Sequence, residues 1–427
     1  MRFSLMSLFL GLCLPFLTRG LLAQGETAVP FLLFEANPDA NGWGGVSTAV
    51  VSDNPAATIA NPAQLGMFSL DHFFSASTYV PKTEWSPEND QNDITYNVSA
   101  VSAGVNLQTM FGLALPISIG VGYSRVYFDM GNFVRTGSGS PQPIGFFNAH
   151  ESSESFCLGL GMDYFVRIGV GMNFKSIVST LSPIGTEQEA GSGTARGSAT
   201  DFGVLAQIPV MEILSRATGS SYILVSTVEP LFDINFGYTH NNVGEKMSYI
   251  DAAQSDPLPR NATVGLSMEM GVVMPVNNQP WKILTFTLAR EAQDLLIIRK
   301  PDGVIEYQSG LGDISFFKHV IRGELYDNDR VDLRKGWQVN FGEVVSVRGG
   351  SFSESPNFGN RNYVTSGFGI RAAGFLKLLV AMNPETQLPD ALLFISNHVD
   401  LIYDHAAYTT SGPLGETTFN ALGVVIR

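Results

Sequence analysis

Residues 156–174 carry apolar or aromatic side chains at every second position: Phe156, Leu158, Leu160, Met162, Tyr164, Val166, Ile168, Val170, Met172 and Phe174. A period of two belongs to β-strands, whose successive side chains point to opposite faces. Drawn out as one strand, the run would be about 63 Å long at about 3.3 Å per residue, far more than the roughly 25 Å of an apolar membrane band. The run therefore turns, and a three-residue loop preserves the parity where a two-residue loop would flip it. This predicts a tight turn at Asp163-Tyr164-Phe165, between Met162 and Val166, with residues 156, 158, 168 and 170 facing lipid.

The segment FGLALPISIGVGYSR repeats the pattern, with Phe111, Leu113, Leu115, Ile117, Ile119, Val121 and Tyr123 on one face and Gly, Ala, Pro and Ser on the other. A sandwich strand whose second face meets water would be polar or charged there. A small, uncharged second face fits a crowded lumen instead. Charged residues make up only 15% of the chain, aromatics reach 11% and there are 44 glycines. A soluble domain averages about 25% charged residues. Similar alternating pieces recur around Phe232, Leu266, Trp337 and Val399, and aromatics near strand ends (Tyr79, Tyr123, Tyr127, Trp281, Trp337, Tyr403) suit an interfacial girdle. Roughly fourteen strands are predicted from Leu70 onward, with connections at 81–93, 135–151, 182–200, 239–259 and 324–335. The longest apolar run, Phe375–Met382, is strand-sized, and no helical-period segment competes. The fold class is all-β, a transmembrane antiparallel β-barrel of about 14 strands with a small N-terminal hatch in its lumen. The final FNALGVVIR reads as a closing strand, although Arg427 stands where a terminal aromatic is usual.

Export is read from MRFSLMSLFLGLCLPFLTRGLLAQ: Arg2, an apolar stretch from Phe3 to Leu17, and cleavage after Ala23. Pro15 and Arg19 interrupt the stretch before it reaches the length of a membrane span. Three parts are expected: residues 1–23 as signal peptide, 24–69 as hatch and 70–427 as barrel. Of the 2 cysteines, Cys13 lies in the leader, so the mature chain cannot form an intramolecular disulfide, and Cys157 falls on the small, lumen face. A net charge of −14 argues against nucleic acid as a partner. The six histidines show no ligand spacing, and no G-x-S-x-G elbow is present, so neither catalysis nor a cofactor is expected. Residues 191–198 lack a phosphate-loop lysine and read as an extracellular loop. Asp327–Asp332 lacks the glycine and distal glutamate of a calcium loop and reads as a polar connection.

Residues 41–66, NGWGGVSTAVVSDNPAATIANPAQLG, are small and almost uncharged. Asn54-Pro55 and Asn61-Pro62-Ala63 each place a capping side chain before a proline at a first helical position, with Gly66 as a stop. Two short helices behind a Gly42-Trp43-Gly44-Gly45 turn make a unit able to sit inside a barrel with its backbone satisfied. A surface leader is the alternative, and the lack of charge tells against it.

This stretch closely resembles the N-terminal signature of the PorV/PorQ family, within the FadL-like superfamily of outer-membrane barrels. The residues that carry the resemblance are Pro30-Phe31-Leu32-Leu33, Pro38-Asp39-Ala40, Gly42-x-Gly44-Gly45, Ala49 and Asn61-Pro62-Ala63. DPLPRNATVGLSMEMG and YVTSGFGIRAAG are also similar to the family; Trp43, where the family commonly has methionine, and Gln64 depart from it. The resemblance implies a bacterial outer-membrane barrel of 14 strands with the hatch inside. In the PorV branch such a barrel serves type IX secretion, binding the C-terminal signal domains of secreted proteins and other proteins of the secretion machinery. In the FadL branch it admits hydrophobic small molecules such as long-chain fatty acids. The PorV role is the first expectation, FadL-like transport the alternative, and outer-membrane lipids are expected partners of either.

Overall fold

The computed structural model describes residues 27–87, 93–137, 140–183, 191–225, 227–250, 255–276, 279–300, 304–382, 389, 394–395 and 397–427. The leader read in residues 1–23 lies outside them. Fourteen antiparallel strands pair in chain order and close into a barrel. They are β1 (Phe74–Tyr79), β2 (Thr95–Asn106), β3 (Ile117–Gly137), β4 (Ser140–Asp163), β5 (Arg167–Ser182), β6 (Gly193–Pro209) and β7 (Glu229–Gly244). The second half comprises β8 (Asn261–Val276), β9 (Gln279–Leu295), β10 (Val331–Phe341), β11 (Val345–Ser353), β12 (Asn362–Arg371), β13 (Val399–Thr409) and β14 (Thr418–Ile426). Closure falls on β1, where Phe74 stands opposite Ile426 of β14 on one side and Ala103 of β2 on the other. A closed sheet has no free edge, so all its backbone polar groups can pair within it.

The parity read from the sequence is the parity of the wall. Leu158 is 43% exposed on the outside, while its neighbour Cys157 is 2% exposed in the lumen. Phe156 and Val170 face outward with it, and Ile168 is half-buried on the same side. The turn is three residues long, as parity requires, but it comprises Tyr164, Phe165 and Val166, with Asp163 opposite Arg167. The one-residue shift has a local cause: Arg167 Nε donates to Asp163 Oδ2 at 3.0 Å and closes the hairpin one position later than predicted.

Other differences come from chain that leaves the membrane. Residues 111–115 are not strand, since α4 (Leu107–Phe111) ends there in a left-handed Gly112 and β3 begins after Pro116. Phe375–Met382 belongs to a helix, α6 (Ala372–Met382), and α5 (Val210–Thr218) is a second helix the period-two reading missed. Both helices lie in connections at the end where β1 starts and β14 finishes. At the opposite end, strands run into four expected connections: β3 and β4 through most of 135–151, β6 from Gly193 through the loop expected at 191–198, β7 as far as Gly244, and β10 from Val331. Strand that stands clear of lipid has water on its outer face and loses the apolar alternation that would reveal it. Of the expected girdle, Tyr123 and Trp337 do face outward, whereas Tyr79 and Trp281 are each 4% exposed and buried. Tyr79 donates to Ala36 O and Trp281 to Gly342 O.

Candidate functional site

Residues 28–71 run through the lumen. They form α1 (Pro38–Asn41), α2 (Ala57–Ala60) and α3 (Gln64–Asp71), joined by extended chain. This burial removes the surface-leader alternative for 41–66: Asn41, Trp43, Val46, Ala49, Asn61 and Ala63 are all 2% exposed or less. The asparagines do begin the helical turns, by a longer route than a simple cap. Asn54 Oδ1 accepts from Ala56 N and Asn61 Oδ1 from Ala63 N, both at 3.0 Å, wrapping Pro55 and Pro62 in turns that precede α2 and α3. Gly66 is not a stop. It lies inside α3, where a Cβ would come within 2.2 Å of Leu160 O, so only glycine lets this helix rest on the backbone of β4. The contact is sealed by Ser118 Oγ donating to Gly66 O at 3.0 Å.

The wall supplies partners for the backbone groups that the short helices leave open. Asn61 Nδ2 donates to Thr48 O (2.7 Å) and to Val204 O (3.3 Å). Asn173, Asn241 and Ser267 donate to Thr58 O, Ala60 O and Ala49 O. The Glu291 carboxylate accepts from the N–H groups of Ser47, Thr48 and Ala49. At Gly42-Trp43-Gly44-Gly45, Thr365 Oγ1 accepts from Gly44 N and donates to Gly42 O. Gly44 has φ +83°, and a Cβ there would stand 2.5 Å from Lys335 O. Trp43 and Gly44 thus press against the bare backbone of β10 and β11, and Gly42 against Gly367 of β12. Midway along the segment the hold is by charge: Arg371 grips Asp53 bidentately (2.6 and 2.7 Å) and also reaches Asp400 at 3.2 Å. This guanidinium holds the Asp53 carboxyl well below the usual carboxylate range against the opposing effect of burial. None of the wall partners was legible beforehand, because each is one polar residue on an inward face far away in sequence.

Two cavities flank the segment. One, of about 1010 Å³, opens towards the end with the chain termini and is polar, with Asp53, Asp71, Arg167, Asp233, Lys282 and Arg371 among its lining. The other, of about 680 Å³, opens towards the long connections. Its wall holds an aromatic row: Phe34 stacks on Trp85 at 4.2 Å, Phe352 on Tyr363 at 4.9 Å and Tyr363 on Tyr408 at 4.6 Å. Arg334 and Arg361 lie over the Phe352 ring at 5.6 and 5.4 Å. Such a space takes an apolar body against its rings, while Arg361 is held by Glu354 and Arg334 by Gln293. Glu35 and Gly45 line the aromatic cavity, whereas Asp39 and Trp43 line the polar one. The barrier between the cavities is therefore the short stretch from Glu35 to Gly45, which includes α1.

Glu35 titrates within that barrier. Its carboxyl accepts from Asn37 N and Ser47 Oγ, both at 2.8 Å, yet burial pushes its pKa up from 4.5 to about 7. A carboxyl whose pKa is raised when seated stabilises the seated segment fully below pH 4.5 and loses that contribution as pH rises through about 7. Asp39, raised to about 6 first by burial, acts in the same direction. The Asp53–Arg371 pair has the opposite sign, but weakens only as pH falls below the ordinary aspartate range. Bilayer conductance should accordingly rise between pH 5 and pH 8, and Glu35→Gln should flatten that rise, a change on the order of 1–2 kcal/mol in seating.

No family model matches the chain, and no curated protein matches it. Among solved structures it is similar to the Ralstonia pickettii toluene transporter TbuX, at TM-score 0.40 and 11% identity over 91% of this chain and 96% of that one. It is also similar to the P. putida toluene transporter TodX (TM-score 0.35, 10% identity, 91% and 98% covered) and to a Pseudomonas aeruginosa FadL homologue (TM-score 0.33, 10% identity, 91% and 96% covered).

Proposed function

We propose that the protein is an outer-membrane passage for hydrophobic small molecules, with residues 28–71 as the hatch that separates an outer, aromatic cavity from an inner, polar one. The observation that carries this reading is the barrier itself, so thin that Trp43 and Gly45 line opposite cavities. A ligand that rests among Phe34, Trp85, Phe352 and Tyr363 needs this stretch, together with the chain up to Ala49 that carries it, to move in order to reach the other side. Membrane insertion is supported by the outward rows of exposed Leu, Ile, Val and Phe, since a barrel in water would not carry them. Capture of secreted proteins for type IX secretion, the first expectation from the resemblance, finds no support in a lumen filled by its own chain with cavities of small-molecule size. FadL-like transport takes its place.

The test is calorimetric titration of the detergent-folded protein with an alkylbenzene, a long-chain fatty acid and the isolated C-terminal domain of a secreted protein. Binding of at least one of the two small molecules, lost in Phe352→Asp, is expected. Binding of the protein domain alone would reverse the order of the two readings.

A further inference from the structure

The connection between β9 and β10 folds back over the outside of the barrel. Tyr238, facing outward on β7, donates to Gly310 O, and Phe316 packs against the outward Phe236 ring at 6.4 Å. Ile314, Val320 and Phe316 cover the outward Ala292, which becomes fully buried. The helical turn Phe316–Arg322 forms the lower edge of this strap, with Phe317 74% and Ile321 43% exposed.

Arg290 and Lys335 emerge beneath that edge. They stand directly opposite each other on β9 and β10, and both face outward: Ala289 and Gly336, next to them in sequence, pack against Trp43 in the lumen. Two like charges directly opposite across a strand pair destabilise a sheet unless an anion lies between them. Arg290 Nη1 donates to Ile321 O at 2.7 Å, which places Arg322 beside the pair. Among the described residues none of these three cations forms an ion pair. Of the nearby carboxylates, Asp329 is paired with Lys318, while Asp313 and Glu324 accept from Gln308 and Tyr326 and keep their charge without an ion pair to these cations. Asp327 sits at the far end of the connection, where its carbonyl accepts from Ser355.

Height identifies the kind of anion that suits them. Ten residues separate Arg290 from Pro280, at the start of β9. In a strand tilted by about 40° that distance spans roughly 25 Å, the thickness of the apolar band. The outward residues along it, Leu288, Phe286 and Leu284 with Trp337, Val339 and Phe341 opposite, are apolar. Arg290 and Lys335 therefore lie at the level of the headgroups on the side of the long connections. We propose that Arg290, Lys335 and Arg322 hold the phosphate of an anionic lipid in the outer leaflet, with Phe317 and Ile321 against its acyl chains. The inference rests on the outer-membrane reading and is independent of what passes through the lumen.

The test reconstitutes the full chain in phosphatidylcholine vesicles with and without a bisphosphorylated lipid A, and counts retained lipid by native mass spectrometry after mild extraction. The parent should retain lipid A in preference to its dephosphorylated form, and Arg290→Gln with Lys335→Gln should weaken that preference about fivefold per side chain. Phe317→Ser, which leaves the charges in place, should weaken retention of both forms together. An unchanged preference in the double variant, or displacement of the lipid by millimolar inorganic phosphate, would overturn the proposal, the latter in favour of a free-anion site. Heat-modifiable migration and quenching of Trp337 by brominated lipid report insertion separately. Failure to insert removes the membrane reading and this site together; insertion without lipid preference removes the site alone.

Discussion

Gly44→Val should unseat the hatch while leaving the barrel closed. The backbone at Gly44 has φ +83°, which a β-branched residue adopts only under strain of about 1–3 kcal/mol. In addition, the new Cβ would stand 2.5 Å from Lys335 O and 2.8 Å from Ser351 N, both backbone atoms of paired strands that cannot give way. The hatch yields instead, because the hydrogen bonds between β10 and β11 do not depend on it. Planar-bilayer conductance of the variant should exceed that of the parent several-fold with heat-modifiability retained. Adding Asn61→Ala should enlarge the effect by more than the roughly 1 kcal/mol of an ordinary helix cap, since Asn61 is fully buried and its loss strands Thr48 O and Ala63 N as well. A variant that folds and conducts like the parent would mean that residues 41–66 do not close the lumen.

Arg371→Met should release the middle of the hatch. It leaves the Asp53 and Asp400 carboxylates, 14% and 3% exposed, without their shared cation, and breaking a buried pair from one side costs about 3–5 kcal/mol. Part of this is recovered if Asp53 takes up a proton or moves into the polar cavity. Hydrogen exchange should show amides 50–56 losing protection while those of α3 keep theirs, because α3 is held by Ser118, by the backbone of β4 and by Arg167 on Asp71, none of which involves Arg371. Uniform protection in parent and variant would show the ion pair to be dispensable.

The barrel was legible in the sequence because lipid imposes a simple rule on one face. Phe156 to Phe174 could be divided into two strands and a three-residue loop by parity alone, and only the identity of the loop residues depended on an ion pair that the pattern does not carry. Legibility ended at the membrane surface. The strands through 135–151 are mostly polar, with Ile144, Phe146 and Phe147 too few to mark a period of two, and α6 uses the same Phe and Leu composition as a strand. The small residues of 41–66 announced close packing, but Gly66, read as a helix end, is the place where a helix meets bare backbone. The seat itself was invisible: Glu291, Asn173, Thr365 and Arg371 are single inward residues whose common purpose appears only once the strands are placed side by side.

Locking the hatch examines the account as a whole. A Cβ built at Gly265 comes within 2.9 Å of Ala49 Cβ, so Gly265→Cys with Ala49→Cys can form a disulfide after a shift of about 1 Å. Replacing Cys157 by Ser removes the competing thiol. Uptake of an alkylbenzene into proteoliposomes, measured with this variant oxidised and then reduced, should be absent in the first state and restored in the second. Equal uptake in both states would show a route that does not need the hatch to move. No uptake in either state, with the parent equally inactive, would remove the passage itself.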